Sequence, residues 1–396
     1  MARSNISQKL PRRSYAISMT LKTDILCIVG ARPNFMKIAP VMRAFKASNS
    51  GIRTKLLHTG QHYDAAMKHA FFEQLNIPEP EIDLEVGSGS HAEQTAEIMK
   101  RFEPVLDRCK PKAILVVGDV NSTIACALVA VKKGIKVIHV EAGLRSGDRE
   151  MPEEINRVLT DQISELLFTT ERSAEANLNR EGIDSGKILF VGNVMIDTLL
   201  FNLEAAIPAA KTLPRLVSSG PVPIPVPFEY GLLTMHRPSN VDSPDTLTAL
   251  LEVLSGIAQD TPLIFPLHPR TKSRIETAGL NQLIEQSGII PTEPLSYLEM
   301  LGLMKSAKMV LTDSGGIQEE TTALGVPCVT LRENTERPIT IEEGTNTIVG
   351  RDPKNISVCV TDILETGGKA GRVPELWDGK TAERIVAVVE SEIQKW

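Results

Sequence analysis

The sequence predicts an α/β protein made of two doubly wound domains with a cleft between them. The chain has 396 residues, too many for one compact core, so two domains are expected. Short apolar runs alternate with stretches of helical period, the rhythm of parallel sheets covered by helices on both faces. Several apolar runs also end in acidic or basic residues, as they do where a ligand binds at the carboxyl edge of a parallel sheet. Together these features describe two Rossmann-like units.

Taken in chain order, residues 1–22 carry Arg3, Lys9, Arg12, Arg13 and Lys22 and no acid. They lack the apolar segment of a secretory signal and read as a flexible extension. In the first half, strands are predicted at 24–30, 53–58, 113–118, 135–140, 166–170 and 188–191. In the second half they are predicted at 229–235, 262–267, 309–313 and 327–331. The hinge is placed near 192–200, dividing a first domain, 23–192, from a second, 193–379. Prolines 214, 221, 223, 225 and 227 crowd the stretch 211–227. Alternating prolines suit neither a central strand nor a helix, so an exposed loop of polyproline character is expected there. A last helix, about 380–394, carries Ile385, Val386, Val388, Val389 and Ile393 and is expected to dock on another element.

Apolar content of 42% and charged content of 23% are those of an ordinary globular chain. A net charge of −6 and only 4% aromatic residues argue against a nucleic-acid footprint or a base-stacking platform. No apolar run reaches ~18 residues, so no membrane span is expected. Cys27, Cys109, Cys126, Cys328 and Cys359 never form C-x-x-C. They read as reduced thiols of a cytoplasmic protein, with no metal site among them.

Four segments carry chemistry. The run Ile114–Asp119 reads as a buried strand ending in a carboxylate, and Ile135–Glu141 repeats the pattern one strand–helix–strand unit later. Neighbouring strand ends share one crevice, so Asp119 and Glu141 should converge as a proton-transfer pair. In Val29–Lys37 a strand ends at Gly30 and Pro33 suits the next helix's first turn, placing Arg32 and Lys37 where a diphosphate would bind. In Met151–Arg157, Pro152 opens a helix whose first turn holds Glu153 and Glu154. Acids there are favoured by the helix dipole alone, but the preceding strand ends at Glu141, so a third carboxylate is within reach of the same crevice. In Leu311–Glu320 a strand delivers Asp313, Ser314-Gly315-Gly316 makes a tight turn, and Ile317 starts a helix that ends at Gly325. Backbone N–H groups there suit a phosphate, and Glu320 a ribose. Finally, His236 and His268 stand at two strand ends, each followed by basic residues, where imidazole serves as acid, base or phosphate partner.

In order along the chain stand Gly-Ala-Arg-Pro-Asn-Phe-Met-Lys (30–37), Gly-Asp (118–119), His-Val-Glu-Ala-Gly-Leu-Arg (139–145) and Pro-Glu-Glu-Ile-Asn-Arg (152–157). His-Arg-Pro (236–238), Asp-Ser-Gly-Gly-Ile-Gln-Glu-Glu (313–320) and Glu-Arg-Pro (336–338) follow. This set resembles the non-hydrolysing UDP-N-acetylglucosamine 2-epimerases over roughly residues 23–395. The resemblance implies a glycosyltransferase-B-like fold with the ligand in the interdomain cleft and the C-terminal helix, 380–396, crossing back to the first domain. It implies conversion of UDP-N-acetylglucosamine to UDP-N-acetylmannosamine without NAD, metal or other cofactor, by elimination of UDP to 2-acetamidoglucal and its re-addition. By matching positions it implies a catalytic set of Asp119, Glu141, Glu153 and His236. It implies UDP-sugar contacts from Arg32, Lys37, Arg157, Arg237, His268, Ser314, Gly315, Gly316, Glu320 and Arg337. Gln61, Arg237 and His268 echo a regulatory site at which some relatives bind a second UDP-sugar. A homodimer is implied as well.

The chain departs from many bacterial relatives in reading His236-Arg-Pro-Ser-Asn240 where they read His-Arg-Arg-Glu, and Gly118-Asp-Val-Asn where they often read Gly-Asp-Thr. The alternatives left open are a hydrolysing epimerase that releases UDP and N-acetylmannosamine, an epimerase of a modified UDP-sugar, a glycosyltransferase and a non-catalytic nucleotide-sugar sensor. Three acids facing an anionic ligand disfavour the sensor.

Overall fold

The computed structural model of the protein describes residues 22–61, 77–218 and 229–396, without the side chains of Arg32 and Ser218. All but the last residue of the basic extension lies outside the described residues, as does the proline-dense stretch 219–228.

Two parallel sheets organise the chain. The first contains β1 (Ile25–Val29), β2 (Thr54–His58), β3 (Ile82–Asp83), β4 (Ala113–Val117), β5 (Lys136–Ala142), β6 (Leu166–Thr169) and β7 (Ile188–Phe190), in the order β3-β2-β1-β4-β5-β6-β7. The second contains β8 (Gly231–Thr234), β9 (Leu263–Pro266), β10 (Ile289–Thr292), β11 (Met309–Thr312), β12 (Cys328–Thr330) and β13 (Asn346–Ile348), in the order β10-β9-β8-β11-β12-β13. Strand order reverses between β1 and β4 and again between β8 and β11. These are the switch points at which doubly wound sheets bind ligands.

The central strands read as unbroken apolar runs because helices cover both faces. All five residues of β1 and of β4 are buried. The three strands that the apolar pattern does not predict are β3, β10 and β13, each at the edge of its sheet. An edge strand needs no second apolar face and tolerates proline, which β10 carries as Pro291.

One apolar cluster fills the side of the first sheet that faces the second domain. It joins Ile25, Ile38, Val117 and Phe168 to Ile385 and Val389 of the C-terminal helix Thr381–Glu392 and to Ile393, which caps it. Tyr297 and Leu301, which follow β10, enter the same cluster. The C-terminal helix is anchored at its start by Asp197, whose carboxylate accepts from the backbone N–H of Thr381 (3.2 Å) and Ala382 (2.7 Å). Residues near 192–200, the expected hinge, are helical over Val194–Asn202, with Val194, Ile196 and Leu199 in that cluster. The chain leaves this body between Asn202 and Ile207, whose N–H donates to Leu298 O. It returns between Arg372, bonded to Glu343 O, and Trp377, whose indole N–H donates to Thr170 O.

The expected polyproline loop is corrected over its first part. Ala209–Ser218 is a helix with Pro214 inside it. Its amphipathic face decides this: Leu213, Leu216 and Val217 bury against Tyr230, Leu232 and Leu303. That burial outweighs the one backbone hydrogen bond the proline removes. Among the described residues no helix is long and apolar enough to cross a membrane.

Candidate active site

The carboxyl edge of the first sheet carries both expected acids. β4 ends at Val117; Gly118 then turns at φ 65° and delivers Asp119. A Cβ on Gly118 would lie 2.8 Å from Lys37 Nζ, so only glycine lets the lysine pass. Glu141 sits at the end of β5 with φ 71°, where the β5–β6 register shifts between Val140 and Ala142. A left-handed glutamate costs on the order of 1 kcal/mol and persists only where its surroundings dictate it. The bulge turns the side chain into the cleft, where Lys37 Nζ lies 2.6 Å from Glu141 Oε1 and both side chains are buried.

Between the two acids His139 locks the strand ends. Its Nδ1 lies 2.6 Å from Asp161 and its Nε2 2.9 Å from the Gly118 carbonyl. The ring thus bridges a carboxylate on one side and the turn after β4 on the other. Asp161 also accepts from the Gly143 N–H and pairs with Arg145.

The helix Pro152–Ile163 separates its two leading acids. Glu154 is buried and committed: it accepts from Ser146 N and Oγ and from Gly147 N, and it pairs with Arg157 at 3.1 Å. Glu153 is half-buried, and among the described residues nothing hydrogen-bonds or pairs with its side chain. Arg157 extends to Asp119 at 2.7 Å. Burial works to raise the Asp119 pKa, but Arg157, Lys37 and Arg337 outweigh it and hold the carboxyl below its ordinary value.

On the second sheet, Asp313 follows β11 and is fully buried. Its Oδ2 accepts from the backbone N–H of His236 (2.9 Å) and Arg237 (2.8 Å) and from Asn240 Nδ2 (3.2 Å). His236 Nδ1 lies 3.1 Å from Oδ1. His236 is therefore fastened at backbone and ring, 5.5 Å from the exposed ring of His268. The helix expected to start at Ile317 starts at Gly315, with Ser314 as its N-cap. The two glycines form its first turn rather than a separate loop, because neither takes a positive φ. A Cβ on Gly315 would meet Glu336 Oε1 at 2.7 Å, so the glycine keeps the helix start open against that carboxylate. Glu320, one turn into the helix, is buried and accepts from the Tyr297 hydroxyl at 3.0 Å.

Arg337 joins the two sheets. Its Nη2 donates to Glu141 Oε1 at 3.1 Å, and its Nε lies 2.7 Å from Glu319 Oε1. Glu319 also accepts from Asn193 Nδ2, across the seam, at 2.9 Å. Behind it Arg332 pairs with Glu336 at 2.8 Å and Arg237 approaches Glu336 to 3.5 Å. Burial would raise the Glu336 pKa, but Arg337, Arg332 and Arg237 hold it well below the carboxylate range. Burial wins at Glu319: with Glu141 adding to it and Arg337 opposing, the pKa is pushed up to about 7. Glu141 Oε2, Glu319 Oε2, Arg337 Nη1, Arg157 Nε and Arg237 Nε are buried without hydrogen-bond partners. Natural interiors satisfy such atoms, and five of them around one seam mark a place built for a polar, charged ligand.

Lys37, Glu141 and Arg337 thus form one contact set and Asp119 with Arg157 another, near enough that Lys37 and Arg337 help hold the Asp119 pKa down, and Ser314, Gly315 and Glu320 stand on the facing helix. Gln61 is instead buried in the first domain, accepting from Ser122 N (3.1 Å) and Oγ (2.7 Å). The side chain of Arg32 lies outside the described residues. Glu319, Glu336, Arg332 and Asn193 belong to the site but were not singled out from sequence. Glu319 and Glu336 lie inside the motifs 313–320 and 336–338, which was a usable signal; Arg332 and Asn193 lie outside every motif and gave none. Among the described residues no group of three or more His, Cys, Asp or Glu converges as metal ligands do.

Known proteins resemble this chain in sequence and in fold. The model of the family described as UDP-N-acetylglucosamine 2-epimerase matches residues 43–390. A Methanococcus maripaludis protein, UDP-N-acetylglucosamine 2-epimerase, is 43% identical over 368 residues, spanning 92% of this chain and 98% of its own. The Pseudomonas aeruginosa UDP-2,3-diacetamido-2,3-dideoxy-D-glucuronate 2-epimerase is 41% identical over 329 residues, 82% of this chain and 88% of its own. The crystal structure of Methanocaldococcus jannaschii UDP-GlcNAc 2-epimerase in complex with UDP-GlcNAc and UDP matches with a TM-score of 0.83 at 43% identity, covering 93% of this chain and 99% of that one.

Proposed function

The chain belongs to the UDP-N-acetylglucosamine 2-epimerase family, and from that premise we propose that it interconverts UDP-N-acetylglucosamine and UDP-N-acetylmannosamine without hydrolysis. The observation that carries this reading is the meeting of Asp119 and Glu141 with Lys37, Arg157 and Arg337 in one seam.

The carbon-2 hydrogen of the sugar is not acidic enough for simple removal and return. A base takes that proton while the C1–O bond breaks, its electron pair leaving with UDP, to give 2-acetamidoglucal. UDP oxygen then re-forms the C1 bond as C2 takes a proton on its other face. The sequence is redox-neutral and needs proton donors and acceptors near both faces, together with a firm grip on the diphosphate. Asp119, Glu141, Glu153 and His236 form the proton-handling set. Arg32, Lys37, Arg157, Arg237, His268 and Arg337 hold the UDP-sugar with the N–H groups at Ser314, Gly315 and Gly316. Glu320 takes the ribose hydroxyls, and Arg237 and His268 are the second-domain members of a regulatory subsite.

The working units are a catalytic domain, 23–192 plus 380–396, on which Asn193 and the helix Val194–Asn202 also pack, and a UDP-binding domain made of the rest of 193–379, in a cytoplasmic homodimer. Val131, Ile155 and Leu159 are exposed on the contacting helices Asn121–Lys132 and Pro152–Ile163 and support self-association. A second reading, a modified UDP-sugar as substrate, is supported by the 41% identity to the diacetamido-glucuronate epimerase.

Incubation with UDP-N-acetylglucosamine in heavy water, followed by NMR, tests the proposal. Deuterium at carbon 2 of both UDP-bound epimers is expected. Free N-acetylmannosamine with UDP would replace it with the hydrolysing reaction, and no turnover would point to the modified sugar.

A further inference from the structure

Glu319 has no part in the chemistry above, yet it is 1% exposed and lies where the two sheets meet. The helix Gly315–Leu324 carries it beside Glu320, whose side chain bonds Tyr297. Glu319 Oε1 accepts from Asn193 Nδ2 at 2.9 Å, and Arg337 Nε stands 2.7 Å from the same oxygen. Asn193 is the N-cap of Val194–Asn202, a helix packed in the first-domain core. Arg337 turns its other edge across the cleft to Glu141 Oε1, which Lys37 also contacts. One unbroken chain of polar contacts therefore runs Asn193–Glu319–Arg337–Glu141–Lys37 and crosses the seam at both ends of the Glu319–Arg337 pair.

We infer that Glu319 is a positioning residue: it fixes the guanidinium of Arg337 against Glu141 and, through Asn193, fastens the two domains in the closed state. The inference rests on the epimerase reading for its activity test only. A guanidinium has five N–H donors in a rigid fork, so gripping one edge fixes where the other points. Glu319 stands 2.7 Å from Nε as an ion-pair partner without an aligned hydrogen bond, Nη2 reaches Glu141, and Nη1 has no hydrogen-bond partner. A buried carboxylate without partners is costly, whereas one that meets both a cation and an amide is tolerated. Glu319 meets both only when the domains are together, because the amide belongs to the first domain. Opening the cleft strips Asn193 from Glu319 and Glu141 from Arg337 in one movement, which makes the contact a fastening rather than a local brace.

The test uses the full chain with Glu319→Gln, Glu319→Asp and Asn193→Ala. Glu319→Gln is expected to lower kcat by at least ~10-fold, the scale of a misplaced group, while KM for UDP-N-acetylglucosamine stays within ~3-fold. Glu319→Asp restores part of the loss because it restores the charge. At saturating UDP, Glu319→Gln and Asn193→Ala have a larger radius of gyration by small-angle scattering than the wild type. A kcat for Glu319→Gln within about twofold of wild type, or no advantage of Asp over Gln, overturns the positioning role. Equal radii overturn the fastening. Should Glu319→Gln not fold, Asn193→Ala decides both points from the other side of the contact. Should the wild type not turn over UDP-N-acetylglucosamine, the substrate reading fails, and scattering with UDP alone still judges the fastening.

Discussion

Two buried acids at strand ends, Glu141 within the last residues of β5 and Asp313 just after β11, stand at the carboxyl edges of the two sheets and are treated in opposite ways. Asp313 meets two backbone N–H groups, an asparagine amide and a histidine ring. Glu141 meets only side-chain cations, Lys37 and Arg337, through one oxygen; its other oxygen has no hydrogen-bond partner, and neither does Asp313 Oδ1, which the His236 ring approaches to 3.1 Å. Glu141 is also held at φ 71°, whereas Asp313 is not among the residues with positive φ. Main-chain donors cannot leave, so the acid they surround is scaffold. Side-chain cations can turn toward an arriving anion, so the acid they neutralise becomes available when substrate binds. The partner's freedom to move, rather than burial, separates the two.

The largest test of this contrast removes the scaffold acid. Asp313→Ala strips three donors at once and should cost roughly 3–5 kcal/mol of stability, read as a lower urea midpoint. An unchanged midpoint would erase the distinction. Next, Glu141→Gln and Asp119→Asn should each lower turnover at least ~100-fold, about 3 kcal/mol in barrier, measured on the folded fraction at saturating substrate. Glu153→Gln belongs with them, and near-normal turnover would remove it from the set. Glu320→Ala should weaken UDP binding by ~1.5–3 kcal/mol without such a loss in turnover at saturation, a split that calorimetry and kinetics together resolve.

The smallest effect concerns pH and sharpens the contrast by sign. The pKa of Asp313 is lowered, burial being outweighed by His236 and Arg237, so its contribution is present at neutral pH and lost as pH falls below 3.8. Burial raises Glu171, which follows β6, to about 7 from 4.5; Glu319 and Glu342 add to this while Ser173 and Arg337 oppose it. A raised carboxyl contributes most below its unfolded value, and that contribution is lost as pH climbs from 4.5 to about 7. Glu171→Gln should therefore flatten the fall in stability across that window by on the order of 1 kcal/mol. A steeper fall would reverse the assignment.

Whether an element was legible in the sequence depended on how many of its faces it buries. β1 and β4 bury both faces and stand out as apolar runs, while β3, β10 and β13 lie at sheet edges and leave no such run. Ala209–Ser218 was hidden because Pro214 masked the apolar spacing of Leu213, Leu216 and Val217. In the site, Asp119 and Glu141 were legible because each closes an apolar strand. Glu319 was not singled out within its motif, since a glutamate inside a helix reads as solvent-facing until the opposite domain is in place. The commitment of Glu154 and the freedom of Glu153 depend on the 146–147 turn folding back over the helix start, which no local pattern encodes.

The chain crosses between the two bodies twice, at 203–206 and at 373–376. A body hung on one cord can swivel about it, but one hung on two swings about the line through both attachments and resists twisting. Relative travel of the two sheets is thereby reduced toward a single swing. The same arrangement governs mechanical load: handles at Thr23 and Ile393 would pull on β1's body and on the helix packed against it. The second sheet would stay slack until Ile385, Val389 and Ile393 peel away from the first.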